Sequence, residues 1–211
     1  MRVGIFGGAF NPPHLGHLVC AQESLLQLGL DRLVLVPVGQ APHRQLEDDP
    51  GAEVRLEMVE LAVAEDHRFS VSRTELDRKG PSYTADTLEA LRAEAPGDEM
   101  FLILGGDQAA ALPSWHEPER VLEHATVAVV ERTGWTRNGI GIRIGRLRGA
   151  DRVRYLDMPL IQISSTALRR RVREGVPIRY LVPPAVERFI EERGLYAPAA
   201  GTVTATGATK A

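Results

Sequence analysis

The sequence predicts an α/β protein in which a doubly wound parallel sheet carries helices on both faces. Short apolar runs rich in valine, isoleucine and leucine alternate along the chain with longer segments whose apolar residues recur at helical spacing. Such alternation is typical of parallel strands joined by right-handed crossovers. Hydrophobic residues make up 44% of the 211 residues, which is enough for the core of one α/β domain.

The N-terminus holds the first strand and helix. Residues 3–6 are an apolar run with the length and β-branched content of a buried strand. Gly7 and Gly8 follow it and indicate a turn, and Pro12-Pro13 then precede a segment of leucines at helical spacing. We therefore expect a helix to begin near His14.

The remaining elements follow from the same two periodicities. Five further segments have strand character: 33–36, 68–76, 100–104, 126–130 and 153–156. Helices are predicted at 53–64, from about 82 to 95, around 121–122, at 165–174 and at 184–193. Between them, the polar segment 39–51 reads as a loop, and 134–150 fits neither period, so a helix and an irregular loop both remain open there. We expect one domain over 1–196 and a disordered tail over 197–211, where there is little to bury.

Composition indicates which classes of partner and which cellular compartment to expect. The net charge of −3 provides no basic field, which argues against a nucleic-acid partner. Cys20 is the single cysteine and cannot form an internal disulfide, so a reduced, cytoplasmic location is the expectation. No stretch has the length of a membrane span, and we predict no membrane partner.

The first turn has the chemistry of an anion site. A strand, a glycine turn and a helix start direct backbone N–H groups and the positive end of a helix dipole at one point. His14 and His17 are three residues apart, so both imidazoles project from the same face of the first helical turn. A metal-binding pair is the alternative, but no glutamate follows His14 as the zinc-protease helix motif requires.

A second helix start has similar chemistry. Ser164, Ser165 and Thr166 place three hydroxyls at the beginning of the helix over 165–174, and Arg169 follows within the next turn. Hydroxyls and free N–H groups supported by a guanidinium form an anion site. An ordinary N-cap serine is the alternative interpretation of this segment.

These two segments, His-x-Gly-His and Ile-Ser-Ser-Thr-x-Leu-Arg, together resemble the nucleotidyltransferase superfamily with the His-x-Gly-His motif. The resemblance implies a Rossmann-like fold, with His14, His17 and Arg169 as catalytic residues that hold the phosphates of ATP. It implies that Ser165, Thr166 and Arg169 grip the phosphates that leave as pyrophosphate. The remaining ATP contacts would come from Gly7, Gly8, Ala9, Phe10, Gly105 and Asp107. Asp107 is a candidate for the ribose hydroxyls, and a helix N-cap is its alternative role.

Three middle segments are similar to those of bacterial nicotinate-nucleotide adenylyltransferases: Pro42-His43-Arg44, Ser82-Tyr83-Thr84 and Pro113-Ser114-Trp115-His116. By that resemblance Trp115 stacks on the pyridine ring, and the N–H groups of Thr84 and His116 receive the nicotinate carboxylate. The mononucleotide-binding set implied in this way is Asn11, His43, Arg44, Tyr83, Thr84, Trp115 and His116. Core packing is the alternative for the two aromatic residues Tyr83 and Trp115.

The resemblance implies transfer of the adenylyl group of ATP to nicotinate mononucleotide, with Mg²⁺ held mainly by ATP phosphates and water. Ala9 and Asn11 depart from the family pattern, in which Thr or Ser and Asp are common at these positions. Two alternatives are phosphopantetheine adenylyltransferase, which shares both phosphate motifs, and a nucleotide-binding module without activity. A metal-dependent hydrolase ranks behind them, because the histidines lack carboxylate companions at ligand spacing. The sequence leaves a homo-oligomer open.

Overall fold

Six parallel strands form one sheet in the protein, which a computed structural model describes over residues 1–42, 45–130 and 135–198. The strands within this part of the chain are β1 Arg2–Gly8, β2 Arg32–Pro37, β3 Phe69–Val71, β4 Glu99–Gly105, β5 Thr126–Val130 and β6 Arg154–Leu156. Every neighbouring pair is parallel. The predicted doubly wound α/β fold is confirmed.

The helices connect successive strands and extend beyond the last one. Their bounds are α1 Leu15–Leu28, α2 Ala52–Val63, α3 Thr74–Asp77, α4 Thr84–Glu94, α5 Gly106–Ala111, α6 Pro118–His124, α7 Arg137–Ile144, α8 Ser165–Arg173 and α9 Pro184–Glu192. Short 3-10 turns lie at Leu112–Ser114 and Ala150–Arg152. Most boundaries agree with the sequence expectation to within one or two residues.

Alternation along the strands divides the core into two layers. In β4, Met100, Leu102 and Leu104 pack on the face covered by α4, α5, α6 and α7. Phe101 and Ile103 point to the opposite face, where α1 and α2 lie. Successive side chains of a strand point to opposite faces, so a strand buried on both sides reads as a continuous apolar run. A third cluster joins α8 and α9 to α2.

The strand order places the site. In the order β3-β2-β1-β4-β5-β6, the chain builds the sheet outward from β1 to β3 on one side and then from β4 to β6 on the other, so the strand order switches side between β1 and β4. Ligands of such sheets bind outside the carboxyl ends of the strands at this switch point. The turns after Gly8 and Gly105 stand there. The phosphate turn predicted from the sequence therefore lies at the switch point of the sheet.

Two sequence expectations are refined. The strand predicted over 68–76 is wrong in its second half, because pairing with β2 ends at Val71 and the chain then forms the short helix α3. Loose alternation and propensity did not reveal this edge strand's early end. In the segment 134–150, the helical alternative is correct for α7, whose N-cap Thr136 accepts a hydrogen bond from the Gly139 amide at 3.1 Å. Residue 134 and the tail beyond 198 lie outside the described residues.

Within the described ranges, no helix is both long enough and apolar enough to cross a membrane.

Candidate active site

The turn between β1 and α1 is filled by an aromatic side chain. Phe10 adopts a left-handed backbone conformation with φ 48° and is 1% exposed. Its ring packs edge-on against Phe6 and lies so close to Gly8 that a Cβ there would be 3.1 Å from the Phe10 Cζ atom. A side chain at position 8 would therefore push the Phe10 ring out of place by a few tenths of an ångström, so Gly8 favours the packing of the turn.

The two histidines lie against one another at the start of α1. His14 is the N-cap residue and is buried, while His17 is half-buried, and their ring centroids are 3.7 Å apart. The backbone N–H of His14 donates to Nδ1 of His17 at 3.2 Å. An Nδ1 that accepts a hydrogen bond leaves the ring proton of His17 on Nε2. The helix start thus holds His17 as an Nε2–H donor, which is the form that binds a phosphate oxygen.

Gly16 makes room for the His14 ring. A Cβ at Gly16 would lie 3.0 Å from Nδ1 of His14 and 3.7 Å from Cγ2 of Ile161. The space beside this glycine is therefore occupied by the protein's own side chains. The glycine of the His-x-Gly-His segment serves the stacking of the histidines.

The second helix start meets the first turn, although about 150 residues separate them in the chain. Ser164 is the N-cap of α8 and accepts from the Ala167 amide at 3.2 Å, whereas the Ser165 hydroxyl donates to the Pro12 carbonyl at 2.9 Å. Arg169 is buried, and its Nη1 donates to the Asn11 carbonyl at 3.0 Å. The structure therefore brings both predicted phosphate motifs together. Thr166 is exposed beside them.

Two carboxylates that the sequence reasoning did not single out face Arg169. Asp48 Oδ2 accepts from Arg169 Nε at 3.3 Å and from Arg173 Nη2 at 2.6 Å, and Glu47 Oε2 lies 3.6 Å from Arg169 Nη2. The guanidinium groups of Arg173 and then Arg169 lower the pKa of Asp48. In the free protein an anion already neutralises Arg169, so a phosphate that binds there competes with the carboxylates. In the sequence, the acidic run 47–49 was the feature that could have indicated carboxylates available to pair with an arginine.

Arg55 of α2 is a further residue that the sequence reasoning missed. Its side chain is fully buried, donating from Nη1 to the Ala9 carbonyl at 3.1 Å, from Nη2 to the Val38 carbonyl at 2.7 Å and from Nε to Asp49 at 2.8 Å. A buried arginine is stable only when its donors are satisfied in this way. In the sequence, the spacing of Arg55 from Val59 and Val63 places it on the apolar face of the helix, and this could have indicated a buried arginine.

The turn after β4 takes a different form from the one anticipated. Gly105 is the N-cap of α5, so Asp107 lies inside the first turn and is exposed. The N-cap alternative for Asp107 is therefore wrong, because the chain turns into the helix before it reaches this residue. A Cβ at Gly106 would lie 3.1 Å from the Trp135 Cβ, so a larger residue there would force Trp135 to shift by a few tenths of an ångström.

The predicted mononucleotide residues form a second group. Tyr83 is the N-cap of α4, which begins at Thr84, and its ring lies 4.2 Å from that of His116. The neighbouring Trp115 is half-buried and packs against the larger core cluster. The structure thus places Tyr83, Thr84 and His116 together, and gives Trp115 a packing role beside any role in binding. His43 and Arg44 lie outside the described residues.

Asn11 is buried, and its side chain is engaged by the protein at both ends. Its Nδ2 donates to the Glu47 carbonyl at 3.0 Å, and its Oδ1 accepts from the Tyr196 hydroxyl at 2.7 Å. These two bonds fix the orientation of the Asn11 amide.

In the part of the chain that the structure describes, no group of three histidine, cysteine or carboxylate side chains could hold a metal ion. Mg²⁺ usually binds through phosphate oxygens and waters with few protein ligands.

This chain is similar to known proteins in sequence and in fold. The family model described as cytidylyltransferase-like matches residues 5–171. A protein of Thermus thermophilus named probable nicotinate-nucleotide adenylyltransferase is 46% identical, over 93% of this chain and 100% of its own. A protein of the same name from Rubrobacter xylanophilus is 41% identical, over 93% of this chain and 92% of its own.

A solved structure has the same fold at low sequence identity. The nicotinic acid mononucleotide adenylyltransferase of Plasmodium falciparum, complexed with NaAD, superposes with a TM-score of 0.74 at 18% identity. The match covers 92% of this chain and 97% of that one. It supports the Rossmann-like architecture described above.

Proposed function

The chain belongs to the cytidylyltransferase-like family and, within it, to the nicotinate-nucleotide adenylyltransferases, and we propose that it transfers the adenylyl group of ATP to nicotinate mononucleotide, giving deamido-NAD and pyrophosphate. The protein is thus a nucleotidyltransferase of NAD biosynthesis. The observation that carries the residue assignment is the meeting of the two phosphate motifs, through the bonds of Ser165 to Pro12 and of Arg169 to Asn11.

The reaction is an in-line displacement. The 5′-phosphate oxygen of nicotinate mononucleotide forms a bond to the α-phosphorus of ATP as the bond to the bridging oxygen of pyrophosphate breaks. The phosphate nucleophile is already ionised at neutral pH, so no general base is required. The barrier lies in positioning two polyanions and in stabilising charge on the transferred group.

Three side chains have the positions that this chemistry needs. His17 offers a fixed Nε2–H donor against the stacked His14 ring, and the helix N-terminus behind it adds positive potential. Arg169 approaches from α8 and can exchange its carboxylate partners for the phosphates that leave. A bound Mg²⁺ would neutralise part of the triphosphate charge, and its oxygen ligands would be the phosphates and water.

The acid substrate is favoured over the amide for an electrostatic reason. The N-terminus of α4 at Thr84 presents backbone N–H groups that have no partner within the helix, together with the positive end of its dipole. A negatively charged carboxylate gains more electrostatic stabilisation from these N–H groups than a neutral carboxamide does. We assign Tyr83, Thr84, Trp115 and His116 to this part of the site, with Trp115 stacking on the pyridine ring.

A pyrophosphate-release assay tests the function. ATP with Mg²⁺ is supplied together with nicotinate mononucleotide, nicotinamide mononucleotide or phosphopantetheine, in parallel reactions. We expect release to be fastest with nicotinate mononucleotide and absent without an acceptor. Faster release with phosphopantetheine would overturn the substrate assignment, whereas ATP binding without release for every acceptor would indicate a binding module.

Three expectations from the sequence stay predictions. They are a single catalytic domain over 1–196, a cytoplasmic location, and contacts from His43 and Arg44 to the mononucleotide. A homo-oligomer is compatible with the proposed reaction.

A further inference from the structure

The C-terminal end of the described fold reaches back to the first turn. Tyr196 follows α9, and its hydroxyl donates to Oδ1 of Asn11 at 2.7 Å, across 185 residues of sequence. Its backbone has φ 62°, a left-handed conformation that a residue with a side chain seldom adopts. Its ring packs on the cluster formed by α2, α8 and α9, with the hydroxyl 3.9 Å from the Met58 sulfur. The surrounding structure therefore determines where this phenol points.

Asn11 connects that phenol to two parts of the site. Its Nδ2 donates to the carbonyl of Glu47, next to the carboxylate of Asp48 that faces Arg169. Its own carbonyl accepts from Nη1 of Arg169. One buried residue thus contacts the acidic loop through its side chain and the guanidinium through its backbone carbonyl, and bonds at both ends of the side-chain amide hold its orientation.

We propose that Tyr196 is a positioning residue for adenylyl transfer, which holds the Asn11 amide and, through it, the placement of the Arg169 guanidinium. The inference rests on the proposed function, because it gives Arg169 the role of binding the leaving phosphates. Tyr196 itself touches no reacting atom in this assignment. It acts through Asn11.

The phenol is suited to this task because it remains a donor. Burial raises the pKa of Tyr196 above its ordinary value, so the hydroxyl keeps its proton throughout the pH range in which the enzyme would be assayed. Asn11 Oδ1 is an acceptor, so replacement of the phenol by phenylalanine keeps the packed ring and removes the donor alone.

The test compares Tyr196→Phe with Tyr180→Phe in the full chain. Tyr180 is 78% exposed and serves as the matched control. Loss of one buried hydrogen bond corresponds to about a five- to tenfold effect. We expect Tyr196→Phe to lower kcat by about that factor and to weaken binding of inorganic pyrophosphate, measured by calorimetry, to a similar extent. KM for nicotinate mononucleotide should change less than the pyrophosphate affinity. Asn11 is among the residues that the family resemblance assigns to this substrate, but Tyr83, Thr84, Trp115 and His116, to which we assign its pyridine ring and carboxylate, lie at the start of α4 and after α5.

A structural role alone would lower the melting temperature and leave kcat and pyrophosphate affinity of the folded protein unchanged, and that result overturns the inference. A double-mutant cycle tests whether Tyr196 acts through Asn11. In an Asn11→Ala background, Tyr196→Phe should cause no further loss of pyrophosphate affinity. A further loss of full size contradicts action through Asn11. A wild-type protein that binds pyrophosphate but forms no deamido-NAD refutes the proposed function instead, and the calorimetric comparison still decides the role of Tyr196.

Discussion

At the scale of single residues, His17 carries the most specific expectation. Removal of a contact to the transition state costs about 2.7–4 kcal/mol, which is about a hundred- to a thousandfold in rate. We therefore expect His17→Ala to lower kcat at least a hundredfold with unchanged circular dichroism, because the ring is only half-buried and lies at the start of α1. The exposed His67, changed to alanine, is the matched control for loss of an imidazole. Normal turnover in His17→Ala would remove the central assignment.

Glu75 provides a second expectation, concerning pH. It is a buried carboxyl that accepts from the Thr87 hydroxyl at 2.9 Å, beside Ser82, Arg78 and the Gly39 amide. Burial, the largest influence, raises its pKa. The folded protein then binds more protons here than the unfolded chain, so this group's contribution to stability falls as the pH rises from the ordinary glutamate pKa through the raised one.

Glu75→Gln removes that titration. We expect the variant to gain stability relative to the wild type as the pH rises through this window, in urea unfolding followed at several pH values. Glu53→Gln is a control of opposite sign, because Arg73 lowers the pKa of Glu53, whose contribution is lost as the pH falls. A difference between Glu75→Gln and the wild type that does not change with pH would refute the account.

At the scale of elements, α2 supports the phosphate turn through Arg55. A lysine has no guanidinium fork and cannot reach both carbonyls and Asp49 together. Each buried carbonyl left without a donor costs about 1–3 kcal/mol, so we expect Arg55→Lys to lower the free energy of unfolding by at least about that amount, together with a lower kcat. The measurement is urea unfolding alongside the pyrophosphate assay.

Arg73→Lys is the matched control for Arg55→Lys. Arg73 pairs with Glu53 on the surface, with 47% of its side chain exposed, and such pairs contribute less than about 1 kcal/mol. Equal effects of the two substitutions would show that Arg55 contributes no more to stability than a surface ion pair does.

At the scale of the whole molecule, the site is made of two segments that are distant in sequence. We expect ATP with Mg²⁺, without an acceptor, to slow amide hydrogen exchange in the segments around 10–17 and 164–169 together, because both would close on one triphosphate. At a nucleotide concentration about a hundred times Kd, binding adds about 2.7 kcal/mol to the free energy of unfolding. Mass spectrometry of peptic fragments makes the measurement. Protection of only one segment would mean that the two motifs do not share a ligand.

The sequence by itself determined the elements and the type of chemistry. Apolar runs such as 100–104 and the helical spacing after His14 depend on short-range periodicity, and the two phosphate motifs can be read as continuous strings, so all of these are visible before folding. The predicted length of edge strand β3 was too great, because the pairing of an edge strand depends more on the neighbouring strand than on its own residues.

Only the tertiary structure decided which distant polar groups meet. Nothing near Asn11 in the sequence indicates that its amide lies between Glu47 and Tyr196, or that Arg55 holds the turn at Ala9. A buried polar group must find partners, and in a folded chain those partners come from whichever elements the packing brings close. Local patterns are therefore sufficient to name the candidate phosphate-binding residues, whereas the residues that hold them in place become visible only when the strands and helices are assembled.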